Sequence, residues 1–251
     1  MRNSYDKLSK VPEITLLFWI MKIAATTLGE TAGDVVSMSL NLGYLIGTII
    51  FAVIFLIVVF AQIKANQFQP VLYWFTIITT TTLGTTLADF ADRSLGIGYV
   101  GGSLLLLFLL LSSLFLWYFS LGTISVNTIF TPKAELFYWV TIMFSQTLGT
   151  ALGDWAADTA GFGYAGGALL FSGLLLMVIV AYYLSTISRV LLFWVAFIIT
   201  RPLGAVVGDF LDKPIASGGL GLSRYSASAV LFLFILFCIF FFTQKAAKQP
   251  H

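Results

Sequence analysis

Cysteine and histidine are almost absent from this sequence. The 251 residues include one cysteine, Cys238, and one histidine, His251, which is the last residue. A single cysteine excludes an intrachain disulfide. Zinc or copper sites built from cysteine and histidine, and haem bound by an internal histidine, are disfavoured for the same reason. A metal site in this chain is therefore expected to use oxygen ligands.

Charge is also scarce. Charged residues make up 10% of the chain, hydrophobic residues make up 59%, and the mean hydropathy is +0.98. A soluble domain carries roughly 25% charged residues. The composition therefore predicts a polytopic membrane protein whose main partner is the lipid bilayer. The net charge of +2 and the lack of a dense basic cluster give no sign of nucleic-acid binding.

Long apolar runs fill most of the chain. A spanning helix needs about 20 mostly apolar residues. Eight segments meet this length and are predicted as transmembrane helices: 14–36, 41–63, 70–91, 97–119, 135–157, 163–184, 190–211 and 225–243.

One short pattern, L-G-x-x-x-[G/A]-D, occurs four times near the ends of the odd-numbered segments. The copies begin at Leu28, Leu83, Leu148 and Leu203, and a tryptophan precedes each leucine by nine positions. Three of the even-numbered segments open with Gly-Tyr, and the fourth opens with Arg224-Tyr225. The repeats are placed at about 14–66, 69–121, 134–186 and 189–244.

These features predict the fold class. The chain 1–251 is interpreted as a single all-α transmembrane domain with eight helices from four tandem parallel helical-hairpin repeats. The tryptophan intervals of 55, 65 and 55 residues suggest that the repeats are grouped two plus two. Parallel repeats are related by an axis along the membrane normal, so the four motif aspartates should share one depth.

The distribution of charge predicts the orientation. One set of loops and termini holds eight cations and the other set holds three. The positive-inside rule then places both termini in the cytoplasm. Eight of the 11 acids fall near the outer half.

Small residues recur at i and i+4 within the motifs. This spacing lets helices approach closely in lipid, where packing replaces the hydrophobic effect. Helix packing is therefore predicted for Gly29, Gly33, Gly84, Gly149, Gly153, Gly204 and Gly208.

Carboxylates in apolar sequence are costly to bury and commonly mark ion or proton pathways. An ion-binding, proton-relay or metal site is predicted at Glu30, Asp34, Asp89, Asp154 and Asp209. Lys22 and Arg201 are predicted as internal counter-charges that face the bundle and pair with carboxylates. An outer vestibule is predicted at Asp92, Asp158 and Asp212. The competing interpretation is that these acids cap loops or form structural ion pairs.

The first copy, Lys22-x-x-x-Thr26-Thr27-Leu28-Gly29-Glu30-Thr31-x-Gly33-Asp34, resembles the signature of a bacterial membrane-protein family of unknown function. That family is described by a short repeat that usually occurs four times. The resemblance covers nearly the whole chain and implies a multi-pass protein of the bacterial cytoplasmic membrane, but it implies no activity. The Glu30-x-x-Gly33-Asp34 stretch is more loosely similar to the Glu-x-Gly-Asp motif of cation exchangers.

Three functions remain open from the sequence. The first is a transporter of a hard cation such as Mn²⁺ or Ca²⁺, or a proton-coupled secondary transporter, because oxygen donors suit such ions. The second is a cation channel with a pseudo-fourfold aspartate ring. The third is a non-transporting scaffold or subunit of a larger complex, which includes a protein that holds a lipid-like cofactor. An enzyme is not expected, no cofactor is predicted apart from a divalent cation, and oligomerisation is left open.

Overall fold

A computed structural model describes residues 9–248. In this range the chain forms eight long α-helices joined by short 3-10 and π-helical segments. The helices are α1 (Leu16–Asp34), α2 (Gly43–Lys64), α3 (Pro70–Asp89), α4 (Gly98–Leu121), α5 (Pro132–Asp154), α6 (Gly163–Leu184), α7 (Arg189–Asp212) and α8 (Arg224–Phe241). The prediction of an all-α chain with eight helices is confirmed for these residues.

Six of the helices are long and apolar enough to cross a membrane. They are α2, α3 with the segment that follows it, α4, α6, α7 and α8. This set fits a multi-pass membrane protein. Helices α1 and α5 are also 19 and 23 residues long, but they carry more polar side chains and fall short of the same measure.

The first three repeats share an unusual turn after the motif aspartate. Each α-helix ends at that aspartate and continues as a five-residue π-helix, at Val35–Ser39, Phe90–Ser94 and Trp155–Thr159. The chain then reverses through Asn41, Gly96 and Gly161, whose φ values are 54°, 72° and 74°. Only glycine, and less readily asparagine, adopts such angles without strain. The fourth repeat lacks this turn, because α7 runs on to Asp212 and a longer loop leads to α8.

The odd-numbered helices form an inner ring. Helix α1 packs against α3 and α7, and α5 packs against the same two helices, which closes a ring of four. The even-numbered helices lie outside this ring and leave most of their surface exposed. Helices α2, α4 and α6 each pack on the first helix of the next repeat, and α8 packs on α1. The two helices of one repeat make few direct contacts, so the expected hairpin pairing within a repeat is replaced by packing between neighbouring repeats.

Small residues explain how the ring closes. A Cβ atom on Gly84 would lie 2.9 Å from the backbone carbonyl carbon of Gln146 on the next inner helix. A Cβ atom on Gly29 would likewise clash with the side chain of Thr81. The same holds for Gly149 against Arg201, and for Gly204 against Thr26 of the first repeat. The glycine of each repeat therefore accommodates one polar position of its neighbour, and the fourth repeat returns to the first. This geometry agrees with the close helix packing predicted for the motif glycines.

Aromatic side chains fill the end of the ring opposite the motif aspartates. Trp74, Trp139 and Trp194 are buried, so three of the four repeated tryptophans belong to the core. Between them, the hydroxyl oxygens of Tyr73 and Tyr138 lie 2.7 Å apart.

The two ends of the described chain cover this aromatic layer. Residues 9–13 pair with residues 245–247 through backbone hydrogen bonds such as Glu13 N to Lys245 O at 2.9 Å. The indole N–H of Trp74 donates to Oε1 of Gln244 at 2.7 Å. An ion pair between Lys10 and Glu135, 2.6 Å long, adds a contact to α5. These contacts cover this end of the ring, apart from a pocket of about 230 Å³ that Phe18, Met21, Trp74 and Gln244 help to line.

Candidate carboxylate site

The four motif aspartates lie together at one end of the inner ring. Asp34, Asp89, Asp154 and Asp209 are 1%, 2%, 2% and 4% exposed. Asp34, Asp89 and Asp154 are the last residues of α1, α3 and α5, and Asp209 lies in the last turn of α7. Because the four inner helices run in the same direction, the aspartates lie at one level. Buried carboxylates at this density require cations or protons nearby.

Two cations bridge these aspartates in pairs. Arg93 lies 3.0 Å from Asp89 and 3.0 Å from Asp154. Lys213 lies 2.7 Å from Asp34 and 3.0 Å from Asp209. Each cation follows its own repeat's aspartate by four residues and reaches the aspartate of the next repeat. The ion pairs therefore join repeat two to three and repeat four to one, which differs from the grouping that the tryptophan spacing suggested.

Lys213 lies just beyond the end of α7 and remains positively charged. Burial acts to lower the pKa of its ammonium group, but the carboxylates of Asp209 and Asp34 outweigh burial and raise the pKa above the usual lysine value. The positive charge is therefore retained across the physiological pH range.

The outer acids have three different environments. Asp212 is 8% exposed and pairs with the Nε of Arg224 at 2.8 Å, and the same Nε is 3.5 Å from Asp34. Asp92 is 7% exposed, and neither carboxylate oxygen has a hydrogen-bond partner among residues 9–248. Asp158 is exposed and makes no ion pair in the same range. Of the predicted vestibule, the structure therefore brings Asp212 into the aspartate cluster and leaves Asp158 outside it.

Arg201 occupies the axis of the ring one turn inward. Its Nη2 lies 3.0 Å from Glu30 Oε2 on α1 and donates to Thr85 on α3 at 2.7 Å. The same nitrogen also donates to the hydroxyl of Thr150 on α5. One side chain from α7 thus reaches the other three inner helices, which is possible only from the centre. The predicted pairing of Arg201 with a carboxylate is present, and its partner is Glu30.

Lys22 differs from the expectation. It is fully buried, and its ammonium nitrogen lies 3.5 Å from the hydroxyl of Thr200 and 4.1 Å from the centre of the Phe197 ring. No carboxylate lies within ion-pair distance of Lys22 among the described residues. The expectation that Lys22 pairs with a carboxylate is therefore not met, because Arg201 occupies the position beside Glu30.

Two groups of carboxylates are close enough to share one ion. Glu30, Asp154 and Asp209 each offer an oxygen within 4.8 Å of the others. Asp34, Asp209 and Asp212 do the same. Three carboxylate oxygens in such an arrangement suit a hard cation such as Ca²⁺ or Mn²⁺, which prefers oxygen ligands. Asp209 belongs to both groups and is the link between them.

Tyrosines at the Gly-Tyr positions form part of the site and were not predicted as such. The guanidinium of Arg93 donates to the hydroxyl of Tyr44 at 3.2 Å. The same guanidinium lies 5.9 Å from the ring centres of Tyr44 and Tyr99. The repetition of Gly-Tyr in the sequence was the available signal. Its role is visible only once each even-numbered helix is placed on the next repeat.

The fold and this site define a class: a helical protein of four repeats with buried acids gathered at one end of its inner ring. The model for a repeat of unknown function, DUF347, matches residues 17–68, 72–123, 137–188 and 192–247. These matches cover most of the chain, and the protein belongs to this repeat family. The predicted fourfold repetition is thereby confirmed. No curated protein and no solved structure matches the chain significantly.

Proposed function

We propose that this protein is a membrane transporter that moves a hard cation, such as Mn²⁺ or Ca²⁺, in exchange for protons. The observation that carries the proposal is the charge balance at the site. Seven acids are buried there, namely Glu30, Asp34, Asp89, Asp92, Asp154, Asp209 and Asp212. Four cations pair with them, namely Arg93, Arg201, Lys213 and Arg224.

An excess of acid in a buried site has to be neutralised by something that comes from solution. Unpaired buried carboxylates are strongly disfavoured, so protons or metal ions are the available counter-charges. A site that accepts either one is suited to exchange them. The sequence has only one cysteine, Cys238, and one histidine, His251, and this scarcity favours hard cations over Zn²⁺ or Cu⁺.

The bridging cations suggest how an ion enters. A divalent cation between Asp34, Asp209 and Asp212 replaces Lys213 and Arg224 as the partner of those carboxylates. Lys213 is 13% exposed and Arg224 is 23% exposed at the side chain, so both can turn toward solvent when they are released. In this proposal the two residues act as a displaceable cover, and the packed aromatic side chains at the other end prevent leakage through the ring.

Flux measurement with a matched pair of variants tests the proposal. The purified protein is placed in proteoliposomes with a pH gradient, and entry of Mn²⁺ or Ca²⁺ is followed with an internal indicator. Asp209→Asn should reduce flux by at least about tenfold, since loss of one buried charged ligand exceeds 1.4 kcal/mol. Asp158→Asn should leave flux near the wild-type level, because Asp158 is exposed at the same end. No flux in the wild type, or equal flux in the Asp209 variant, would contradict the proposal.

The scaffold function has one specific observation in its favour. Every motif aspartate has a cation within 3.0 Å, so the ion pairs by themselves can hold the four helices in register. If this is their role, the protein binds no Mn²⁺ or Ca²⁺. A variant in which Lys213 and Asp209 are exchanged should then be as stable as the wild type. Isothermal titration of the metal alone into the purified protein separates the two functions.

A pore along the ring axis is less well supported. The Arg201 guanidinium fills the axis between Glu30, Thr85 and Thr150. A continuous water path would need this buried side chain to leave its partners.

The proposed location is the bacterial cytoplasmic membrane with both termini in the cytoplasm. The carboxylate site then opens toward the outside, and the aromatic end faces inward. Reporter fusions after residue 248 and within the loop at residues 213–223 should show cytoplasmic and external placement, respectively. The opposite result would reverse the proposed direction of ion entry.

A further inference from the structure

We propose that Lys22 is the residue that carries the proton coupled to cation movement, an inference that rests on the proposed function. Lys22 belongs to the first repeat only. The equivalent positions of the other repeats hold Ile77, Ile142 and Phe197. An ionisable group kept at one of four otherwise apolar positions inside a helical bundle is a candidate for function.

The surroundings of Lys22 disfavour a permanent charge. Its side chain is fully buried, and the nearest polar atom is the Thr200 hydroxyl at 3.5 Å, a long and weak hydrogen bond. The Phe197 ring, 4.1 Å away, gives some stabilisation to an ammonium group but does not replace a counter-ion. The amine can therefore exist in both protonation states without losing a strong partner.

Within the described part of the chain, none of the charged groups around Lys22 supplies it with a counter-ion. On α7, the like charge of Arg201 directly follows Thr200, the residue whose hydroxyl contacts Lys22. On α1 itself, Glu30 is two turns away and is already paired with Arg201. Helix α3 carries Asp89 at its outer end and Tyr73 in the aromatic layer, and helix α8 carries Arg224 and Tyr225 at its outer end and Cys238 near its other end. Glu13 and Lys245, on the terminal segments, line a pocket that also borders Met21, the residue before Lys22.

Polar atoms connect this position with the carboxylates. The layer one turn outward of Lys22 contains Thr81, Gln146 and Arg201, all fully buried. The Thr81 hydroxyl, both amide atoms of Gln146 and the Nε of Arg201 have no hydrogen-bond partner among residues 9–248. Gln146 leaves both a donor and an acceptor unpaired, which suits water better than a simple ion. When Arg201 leaves Glu30, water can enter this layer, and a proton leaving Lys22 then has a path along the axis.

The exchange of a bound cation for a proton on Lys22 follows from the position of Arg201 beside Glu30. When a cation binds Glu30, the guanidinium loses its carboxylate partner, and its positive charge is no longer compensated beside Lys22. The Lys22 ammonium then releases one proton to water and becomes a neutral amine. Departure of the cation restores the Arg201–Glu30 pair, and Lys22 takes up a proton again.

An acid–base titration in the absence of metal tests whether Lys22 takes up and releases a proton. Wild type, Lys22→Ile and Lys22→Arg are titrated in nanodiscs between about pH 6 and about pH 9. Isoleucine is the residue of repeats two and three at this position, and arginine keeps its charge over the whole range. The wild type should exchange one proton more than either variant, whereas Lys64→Gln, at an exposed lysine, should match the wild type. Equal proton counts in wild type and both Lys22 variants would overturn the proposal.

Two further measurements keep the test decisive. If the variants do not fold, ¹⁵N labelling of the eight lysine Nζ atoms in the wild type should show a buried lysine that changes protonation in this range. Eight permanently charged signals would overturn the proposal. Mn²⁺ added at constant pH should release about one proton more per bound ion from the wild type than from Lys22→Arg, which should still bind the ion. Equal release from both would also overturn it, whereas proton exchange without any Mn²⁺ binding would refute the transport proposal alone.

Discussion

At the scale of single residues, one charged side chain, that of Arg201 in the fourth repeat, occupies the axis of the inner ring. Arg201 and Glu30 are 0% and 4% exposed at their side chains, and their ion pair is 3.0 Å long. The other repeats place Thr26, Thr81 and Gln146 where Arg201 stands, so the pair breaks the fourfold likeness at the centre. Loss of one member of a buried ion pair costs about 3–5 kcal/mol, because the other charge is left uncompensated.

The first prediction uses this asymmetry. Arg201→Gln and Glu30→Thr, each of which copies another repeat, should destabilise the protein by about 3–5 kcal/mol when made singly. The double variant should recover a large part of that loss, since no buried charge remains unpaired. Tryptophan fluorescence during thermal unfolding in detergent measures the three variants. Additive losses in the double variant would show that the two side chains act independently.

The second prediction concerns Lys213. Its pKa is raised, so its pairing with Asp34 and Asp209 persists below the usual lysine pKa and is lost only at still higher pH. Lys213 competes with a metal ion for these two carboxylates. Raising the pH from about 6 to about 9 therefore leaves Lys213 paired with them in the wild type. Lys213→Gln removes it, and Mn²⁺ should bind the variant severalfold more tightly at pH 8. Unchanged or weaker binding would argue against Lys213 as a displaceable cover.

At the scale of helices, the spacing of small residues decides how close the inner helices come. Gly84 faces backbone atoms of the next helix, with Gln146 C and Thr147 N both 2.9 Å from its hypothetical Cβ. Backbone cannot rotate away as a side chain can. Gly173, on the outer helix α6, has no atom within 4 Å of such a Cβ.

The third prediction compares these two glycines. Gly84→Ala should destabilise the protein by about 1–3 kcal/mol, the usual cost of overpacking. Gly173→Ala should be neutral or slightly stabilising, because alanine favours helix by up to about 1 kcal/mol over glycine. Both are measured by thermal unfolding. A similar effect at the two sites would mean that the inner helices are not in tight contact at Gly84.

At the scale of the whole molecule, the ring is closed by contact between the first and last repeats. The hydroxyls of Thr31 on α1 and Ser228 on α8 lie 2.8 Å apart. The position equivalent to Thr31 in the fourth repeat is Val206, on α7. If α7 and α8 formed a simple hairpin, position 228 would lie near Val206 and not near Thr31. The pairs 31 with 228 and 206 with 228 therefore distinguish cyclic packing from hairpin packing.

The fourth prediction is a crosslink. In a Cys238→Ser background, cysteines at positions 31 and 228 should form a disulfide on mild oxidation, since the side chains are within bonding reach. A protease site inserted between the exposed Ala216 and Ser217, which separates position 228 from both 31 and 206, should then yield fragments that part only after reduction. Cysteines at positions 206 and 228 should give no such link. The reverse pattern would refute the cyclic packing of outer helices.

Several features could be read from particular residues. The recurring Leu-Gly and Asp residues revealed four repeats, and the apolar runs gave helices close to those observed, with 163–184 the same in both. The buried aspartates were also recognisable, because an acid in an apolar run is costly wherever the run folds. The partner of Lys22 was not predictable, since i, i+4 spacing on α1 places it near Glu30 but says nothing about Arg201 on α7.

The sequence alone determined the all-helical class, the fourfold repeat and the presence of acids at one end of the inner helices, because these depend on composition and on spacing along one chain. Only the tertiary structure decided which helices are neighbours, that Arg93 and Lys213 each bridge two repeats, and that Arg201 takes the axis while Lys22 is left without a carboxylate. These outcomes depend on how the four inner helices close into a ring. Nearly equal repeats offer several pairings in sequence, and only close packing at the glycines selects one of them.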